Sequence, residues 1–139
     1  MTSQETIVTK PRKYLGENQK NILVLVNYPG TVYLPDEELN FLTNMLTACK
    51  LSLADVAVVN SSTDEGIGYK DAITHFKSRI IFLFGIAPLS FGLPVDFPHF
   101  QVQSFANVTF LYTPALEECR KDGVLKSKLW VCLRRIFGI

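Results

Sequence analysis

Charge of one sign, cysteine and long apolar runs are all in short supply in this 139-residue chain, and each shortage narrows what the protein can be. Fourteen Lys and Arg stand against thirteen Asp and Glu, a net charge of +1. There is therefore no bulk electrostatic pull toward nucleic acid or anionic lipid, and any such contact has to be local. Three cysteines, Cys49, Cys119 and Cys132, are too few and too scattered for a disulfide framework and lack the paired spacing of a zinc site. They read as small buried hydrophobes in a reducing cytoplasm, and neither a metal nor a cofactor is expected. Residues 1–21 carry no apolar stretch of the kind a secretory leader needs, and nothing after them is long enough to span a bilayer, so no membrane association is expected. Repeats, Gly- or Ser-rich linkers and a second domain are also missing.

What is present is a core. At 47% hydrophobic and 12% aromatic residues the composition excludes disorder, and the length suits one domain. The run Ile22-Leu23-Val24-Leu25-Val26 followed by Asn27-Tyr28-Pro29-Gly30 reads as a strand buried on both faces and then a sharp turn. Pro35-Asp36-Glu37-Glu38 opens a helix whose stripe of Leu39, Leu42, Met45, Leu46 and Cys49 runs to about Lys50. Val56 to Asn60 is a second buried strand, Ile67 to Phe76 a weaker helix, and Ile80 to Phe84, ending at Gly85, a third strand. From Ile86 to Phe100 the prolines Pro88, Pro94 and Pro98 forbid a regular helix. Phe91, Leu93, Phe97 and Phe100 make the stretch too apolar for a free loop, so an ordered lid over the sheet is expected. Gln101 to Ser104 is a short extended piece, and Val108 to Tyr112 is the fourth strand. Leu116 to Lys121 is a helix, broken at Asp122-Gly123 and continued from Val124 to Phe137. This pattern predicts an α/β fold: three layers, α/β/α, with a short, mainly parallel, four-stranded sheet. Residues 1–21, polar apart from Ile7, Val8, Tyr14 and Leu15, read as a flexible tail whose peptide docks on a partner, steered by Lys10, Arg12 and Lys13, with residues 22–139 as the domain.

In such sheets ligands sit beyond the carboxyl ends of the strands. The exits are Asn27, Tyr28, Pro29 and Gly30 after the first strand, Asn60, Ser61 and Ser62 after the second, Gly85 after the third, and Thr113 and Pro114 after the fourth. None places an acid or a histidine directly at a strand end. Asp64 and Glu65 come later and read as caps of the next helix. His75, in a helix, and His99, in the lid, lack an acidic partner nearby in sequence. Gly66-Ile67-Gly68 is too short for a nucleotide fingerprint.

Several of these stretches together resemble the uracil-DNA glycosylase superfamily. The first strand with Tyr28-Pro29-Gly30 resembles the motif in which an acid or Asn just before Pro positions the attacking water. Here Tyr28 holds that slot, with Asn27 one place early. Ile81 to Ala87 resembles the family's third strand, and Leu111-Tyr112-Thr113-Pro114-Ala115-Leu116 resembles the second motif, where the family has a histidine that this chain lacks. Within the superfamily the nearer likeness is to the non-catalytic psi subunits of bacterial DNA polymerase III clamp-loader assemblies. It rests on the first strand, residues 39–48 and 51–56, the Thr113-Pro114-Ala115-Leu116 turn and Leu125-Lys126-Ser127-Lys128-Leu129-Trp130. The lid differs from that pattern.

The resemblance implies a small cytoplasmic adaptor of DNA replication or repair. Its protein partners would be clamp-loader or single-strand-binding-associated subunits, and its contact with nucleic acid weak or indirect. Two other readings stay open. One is a base-processing enzyme using Asn27 to orient water and His99 to meet the leaving base, with Phe91, Phe97 and Phe100 lining a pocket. The other is a small-ligand-binding domain.

Overall fold

The computed structural model describes residues 13–63 and 67–139. Ile7, Val8, Lys10 and Arg12 of the expected tail peptide, and Asp64, Glu65 and Gly66 of the expected cap, lie outside the described residues. In chain order the described elements are β1 (Ile22–Val26), α1 (Asp36–Ala48), a short 3-10 turn (Leu53–Asp55), β2 (Val56–Asn60), α2 (Tyr69–Thr74), β3 (Ile80–Phe84), β4 (Gln103–Phe105), β5 (Val108–Thr113), α3 (Leu116–Lys121) and α4 (Gly123–Phe137).

The fold is α/β around one mixed sheet in the order β2-β1-β3-β5-β4. The first four strands are parallel, with Val24 beside Val58 on one side and Phe82 on the other, and Phe82 in turn beside Leu111. Every residue of β1, β2 and β3 is buried, which is why these strands read as unbroken aliphatic runs rather than alternating ones. Alternate residues serve two separate cores. Val24, Val58, Phe82 and Leu111 pack with Leu42 and Leu46 of α1, Leu116 of α3 and Leu129 and Leu133 of α4. Leu23, Leu25, Ile81, Leu83 and Phe110 pack on the other face with Ala72 of α2, Phe76, and Phe91, Leu93 and Phe97 of the lid. Helix α2 and an irregular segment therefore cover the face that would otherwise need a second long helix.

The helix ends follow from local chemistry. Three carboxylates, Asp36, Glu37 and Glu38, occupy the first turn of α1, where the helix dipole favours negative charge. Asp122 caps α4 by accepting hydrogen bonds from the backbone N–H groups of Val124 (2.9 Å) and Leu125 (3.4 Å). Gly138, at φ 66°, closes the same helix in the left-handed conformation.

Two expectations need correction. The sheet has five strands, not four: Gln103–Phe105 pairs antiparallel with β5 through a tight turn at Ala106 and Asn107, both at positive φ (53° and 64°), as a primed hairpin turn requires. A three-residue edge strand with an exposed face has no apolar run to announce it. Nor are residues 14–21 a free tail. Leu15 forms an antiparallel bridge with Val58, N–H to C=O at 2.9 Å and back at 2.8 Å, and the N–H of Asn18 donates to Val56 C=O at 2.9 Å. The Tyr14 ring stands edge-on to Phe76 at 5.4 Å, and the side-chain amides of Asn18 and Asn21 donate to the Phe76 carbonyl at 3.0 and 3.2 Å. This strap covers the outer edge of β2, and what holds it is mostly backbone hydrogen bonding, to which apolar content is blind.

Candidate functional site

The connection from β1 runs through α1 to β2 on one side, whereas the next one runs through α2 to β3 on the other side of β1. The winding reverses between β1 and β3, and that reversal opens a crevice at the carboxyl ends of the two strands. A cleft of about 500 Å³ lies there, lined by Leu25, Asn27, Ser61, Ile67, Gly68, Gly85, Ile86, Ala87, Ser90, Phe91 and Gly92. Asn27, Ser61 and Ser90 supply its side-chain polarity, and among its described lining residues there is no carboxylate and no imidazole. Gly85 is required twice over: its φ is +73°, and a Cβ there would meet Ala115 at 3.2 Å.

Asn60 builds the rim. Its side chain is buried (1% exposed) at the end of β2, where its oxygen accepts from the backbone N–H of Tyr28 (2.9 Å) and of Ser62 (3.2 Å). Its amide donates to the carbonyls of Tyr28 (2.9 Å) and Thr31 (3.1 Å). One amide thus ties the loop after β1 to the exit of β2, reproducing by side chain the pairing that the backbone gives up where the strands diverge.

The residues singled out from the sequence separate into two groups. Asn27 and Gly85 meet in the cleft. Tyr28 packs instead against the helix-side core, and its hydroxyl accepts a hydrogen bond from the backbone N–H of Glu117 at 3.0 Å. Burial pushes the Tyr28 phenol up to about 12, against the opposing pull of that same bond. Pro29 and Gly30 are exposed in the turn, with Gly30 at φ +90°. Thr113 is buried at the end of β5, its hydroxyl donating to the Pro114 carbonyl at 2.8 Å, while its own carbonyl accepts from the N–H of Gly85 at 2.8 Å. Thr113 and Pro114 therefore support the cleft from behind. His99 lines a neighbouring cavity with Asp96, Phe97, Pro98 and Tyr112, sharing only Ala87 with the cleft, and its ring tilts over Tyr112 at 4.2 Å. His75 is exposed beside Phe76 at the end of α2.

Ser90 and Gly92 went unnoticed in the sequence, because they reach the cleft only through the fold of the lid, and Gly68 stood out only as part of a glycine pair too short for a nucleotide fingerprint. The N–H of Tyr69 donates to Phe91 C=O at 3.0 Å and joins the lid to α2. Asn60 did carry a signal, a lone amide ending the run Val-Ala-Val-Val.

A second hollow, about 360 Å³, opens on the opposite face between α1 and α4. Nearby, Arg120 of α3 binds the buried carboxylate of Glu38 (2.6 Å) and reaches Glu37 (3.2 Å). The hydrogen bond to Glu38 raises the Arg120 pKa further.

Among the described residues no group of three or more His, Cys, Asp or Glu is placed to hold a metal ion, and no helix is long and apolar enough to cross a membrane. No protein-family model and no curated protein matches this chain.

Proposed function

We propose that this chain is a non-catalytic interaction protein of DNA replication or repair, a cytoplasmic adaptor similar to the psi subunits of clamp-loader assemblies, on a three-layer scaffold of the uracil-DNA glycosylase kind. The observation that carries the reading is the hydrogen bond from the Glu117 N–H to the Tyr28 hydroxyl. Tyr28 belongs to the first of the two loops in which the glycosylase pattern places a water-orienting group and a histidine, and Glu117 follows the second, residues 111–116, in the first turn of α3. Chemistry there needs both groups aimed into the space between the loops. In this chain the residue in the first slot fastens its loop to the first turn of the helix that follows the second. With its pKa near 12 the Tyr28 phenol stays protonated at neutral pH, so it is no base for a water molecule. Nucleic acid would then be met weakly, or through the partner.

Affinity capture of the tagged chain from its own host, followed by identification of co-purifying proteins, tests the reading. Clamp-loader subunits or single-strand-binding protein are expected in stoichiometric yield, and recovery of neither would sink it. Formation of abasic sites in a uracil-containing duplex at protein excess would overturn it in favour of a base-processing enzyme. A small-ligand-binding domain is the second reading, favoured by the 500 Å³ cleft and its three neutral polar side chains, Asn27, Ser61 and Ser90. A saturable rise in Tm with a nucleoside or another neutral polar compound, abolished by Ser90→Trp, would support it.

A further inference from the structure

We propose that the groove between α1 and α4 is the docking site for an amphipathic helical segment of a protein partner, one that inserts large apolar side chains and carries carboxylates beside them. The inference rests on the adaptor reading for the existence of a protein partner, and adds where that partner sits and by what chemistry.

The hollow of about 360 Å³ has Phe41 and Met45 of α1 on one wall and Leu129, Trp130 and Leu133 of α4 on the other. Its setting between two helices is that of a helix-in-groove site. Trp130 remains 36% exposed and Val131, next to it, 60% exposed. The charge on its α4 wall has one sign. Lys126 and Arg134 lie four residues either side of Trp130, hence on the same strip of α4, and Lys126 stands over the Phe41 ring at 5.9 Å. The sequence of α4 holds Lys126, Lys128, Arg134 and Arg135 and no carboxylate. On the α1 side, whose first turn holds Asp36, Glu37 and Glu38, the last two carboxylates are engaged by Arg120. A positive strip along the α4 wall of an apolar slot selects apolar side chains flanked by acids on that side. A lipid surface fits less well, because Leu129, Cys132 and Leu133 of α4 are already buried in the core and do not form an outward apolar face.

The chain contains a single tryptophan, and it lines the groove, so its emission reports occupancy directly. The full chain is titrated with a synthetic peptide of about four helical turns bearing Leu and Phe on one face and Glu on the other. The expected result is a saturable shift of Trp130 emission to shorter wavelength, with Kd in roughly the micromolar range and weakened by salt. The counterpart peptide with Lys for Glu should give no saturable shift. Ser127→Glu and, separately, Asn44→Glu place a carboxylate at the groove while keeping the tryptophan, and each should weaken the Glu peptide about tenfold. The proposal is overturned if the Glu peptide leaves the emission unchanged, if the Lys peptide binds as well, or if both variants bind like the parent. It also falls if vesicles of anionic lipid shift the emission as strongly, or if the shift follows protein concentration alone and the chain sediments as a dimer, which makes a second copy the occupant.

The two readings fail separately. Peptide binding without capture of clamp-loader or single-strand-binding components leaves the groove standing and removes the adaptor assignment. Capture that survives in Ser127→Glu, with no peptide binding, does the reverse.

Discussion

Replacing Asn60 tests the construction of the cleft most directly. The side chain is 1% exposed and makes four good hydrogen bonds, accepting from the N–H groups of Tyr28 and Ser62 and donating to the carbonyls of Tyr28 and Thr31. Asn60→Ala leaves two N–H groups without an acceptor and two carbonyls without a donor in a place too tight for easy rehydration. A net loss of about 1 kcal/mol per orphaned N–H, plus a smaller amount for the carbonyls, gives roughly 2–4 kcal/mol. That is a large fraction of the roughly 5–15 kcal/mol that holds a domain together. Asn60→Asp keeps the acceptor side but turns an oxygen toward the carbonyls of Tyr28 and Thr31. The introduced carboxyl can regain one donor only by holding a proton, so its folded pKa lies above the unfolded value of about 3.9. Its stabilising contribution is therefore present below that value and is lost as pH rises through the folded pKa. Urea unfolding followed by far-UV circular dichroism at pH 4 and pH 7 measures both effects. An alanine variant within about 0.5 kcal/mol of the parent at unchanged m value, or an aspartate variant no more stable relative to the parent at pH 4 than at pH 7, would refute the account.

Four further outcomes are expected. Gly16→Ala puts a Cβ at 2.3 Å from the Val56 carbonyl oxygen in a residue at φ +97°, so the strap should detach and Tm fall by roughly 5–10 °C in a thermal melt. Truncation before Asn18 should lower Tm as well, because it removes the Leu15 bridge and the Tyr14 ring from Phe76. The Tyr28 pKa near 12 means that its contribution is intact below the unfolded value of 10.0 and lost as pH rises toward 12. Tyr28→Phe should therefore cost about 1 kcal/mol at pH 7 but flatten the alkaline limb of the stability profile, read by urea titration from pH 7 to 12. Burial raises the thiol pKa of Cys49, Cys132 and Cys119, the last to about 11. A disulfide dye at pH 8 should label none of the three rapidly in the native protein and all three in guanidinium.

The central strands were legible because residues buried on both faces leave the sequence no reason to alternate, and the five aliphatics from Ile22 to Val26 show it plainly. The stripe of α1 and the Asp122-Gly123 break were equally plain. Two pieces at the sheet edges were not legible as paired strands, although residues 101–104 read as a short extended piece. Gln103, Ser104 and Phe105 have one wet face, and the strap at Leu15 is bound through its backbone. At the candidate site, Asn27 and Gly85 could be placed by the rule that ligands sit at strand ends, since each follows its strand directly. The direction taken by Tyr28 could not. It depends on Glu117, which is 89 residues away in sequence and near only after α3 has packed. Ser90 and Gly92 belong to the lid, whose path is set by where Phe91 and Phe97 are buried rather than by any local repeat.

The position of β1 in the middle of the sheet has a consequence for synthesis. Among the described strands it is the first to be made, yet both strands that flank it, β2 and β3, come later in the chain. Elongation from Val26 to Phe84 at ~5–20 residues per second takes on the order of 3–12 s, and until then at least one edge of five consecutive aliphatic residues has no native neighbour. A short apolar strand with a free edge is the kind of segment that seeds intermolecular pairing. Lys20, two residues before it, and Pro29, three residues after it, are residues that interrupt such pairing, so the nascent segment carries a brake at each end for as long as it waits.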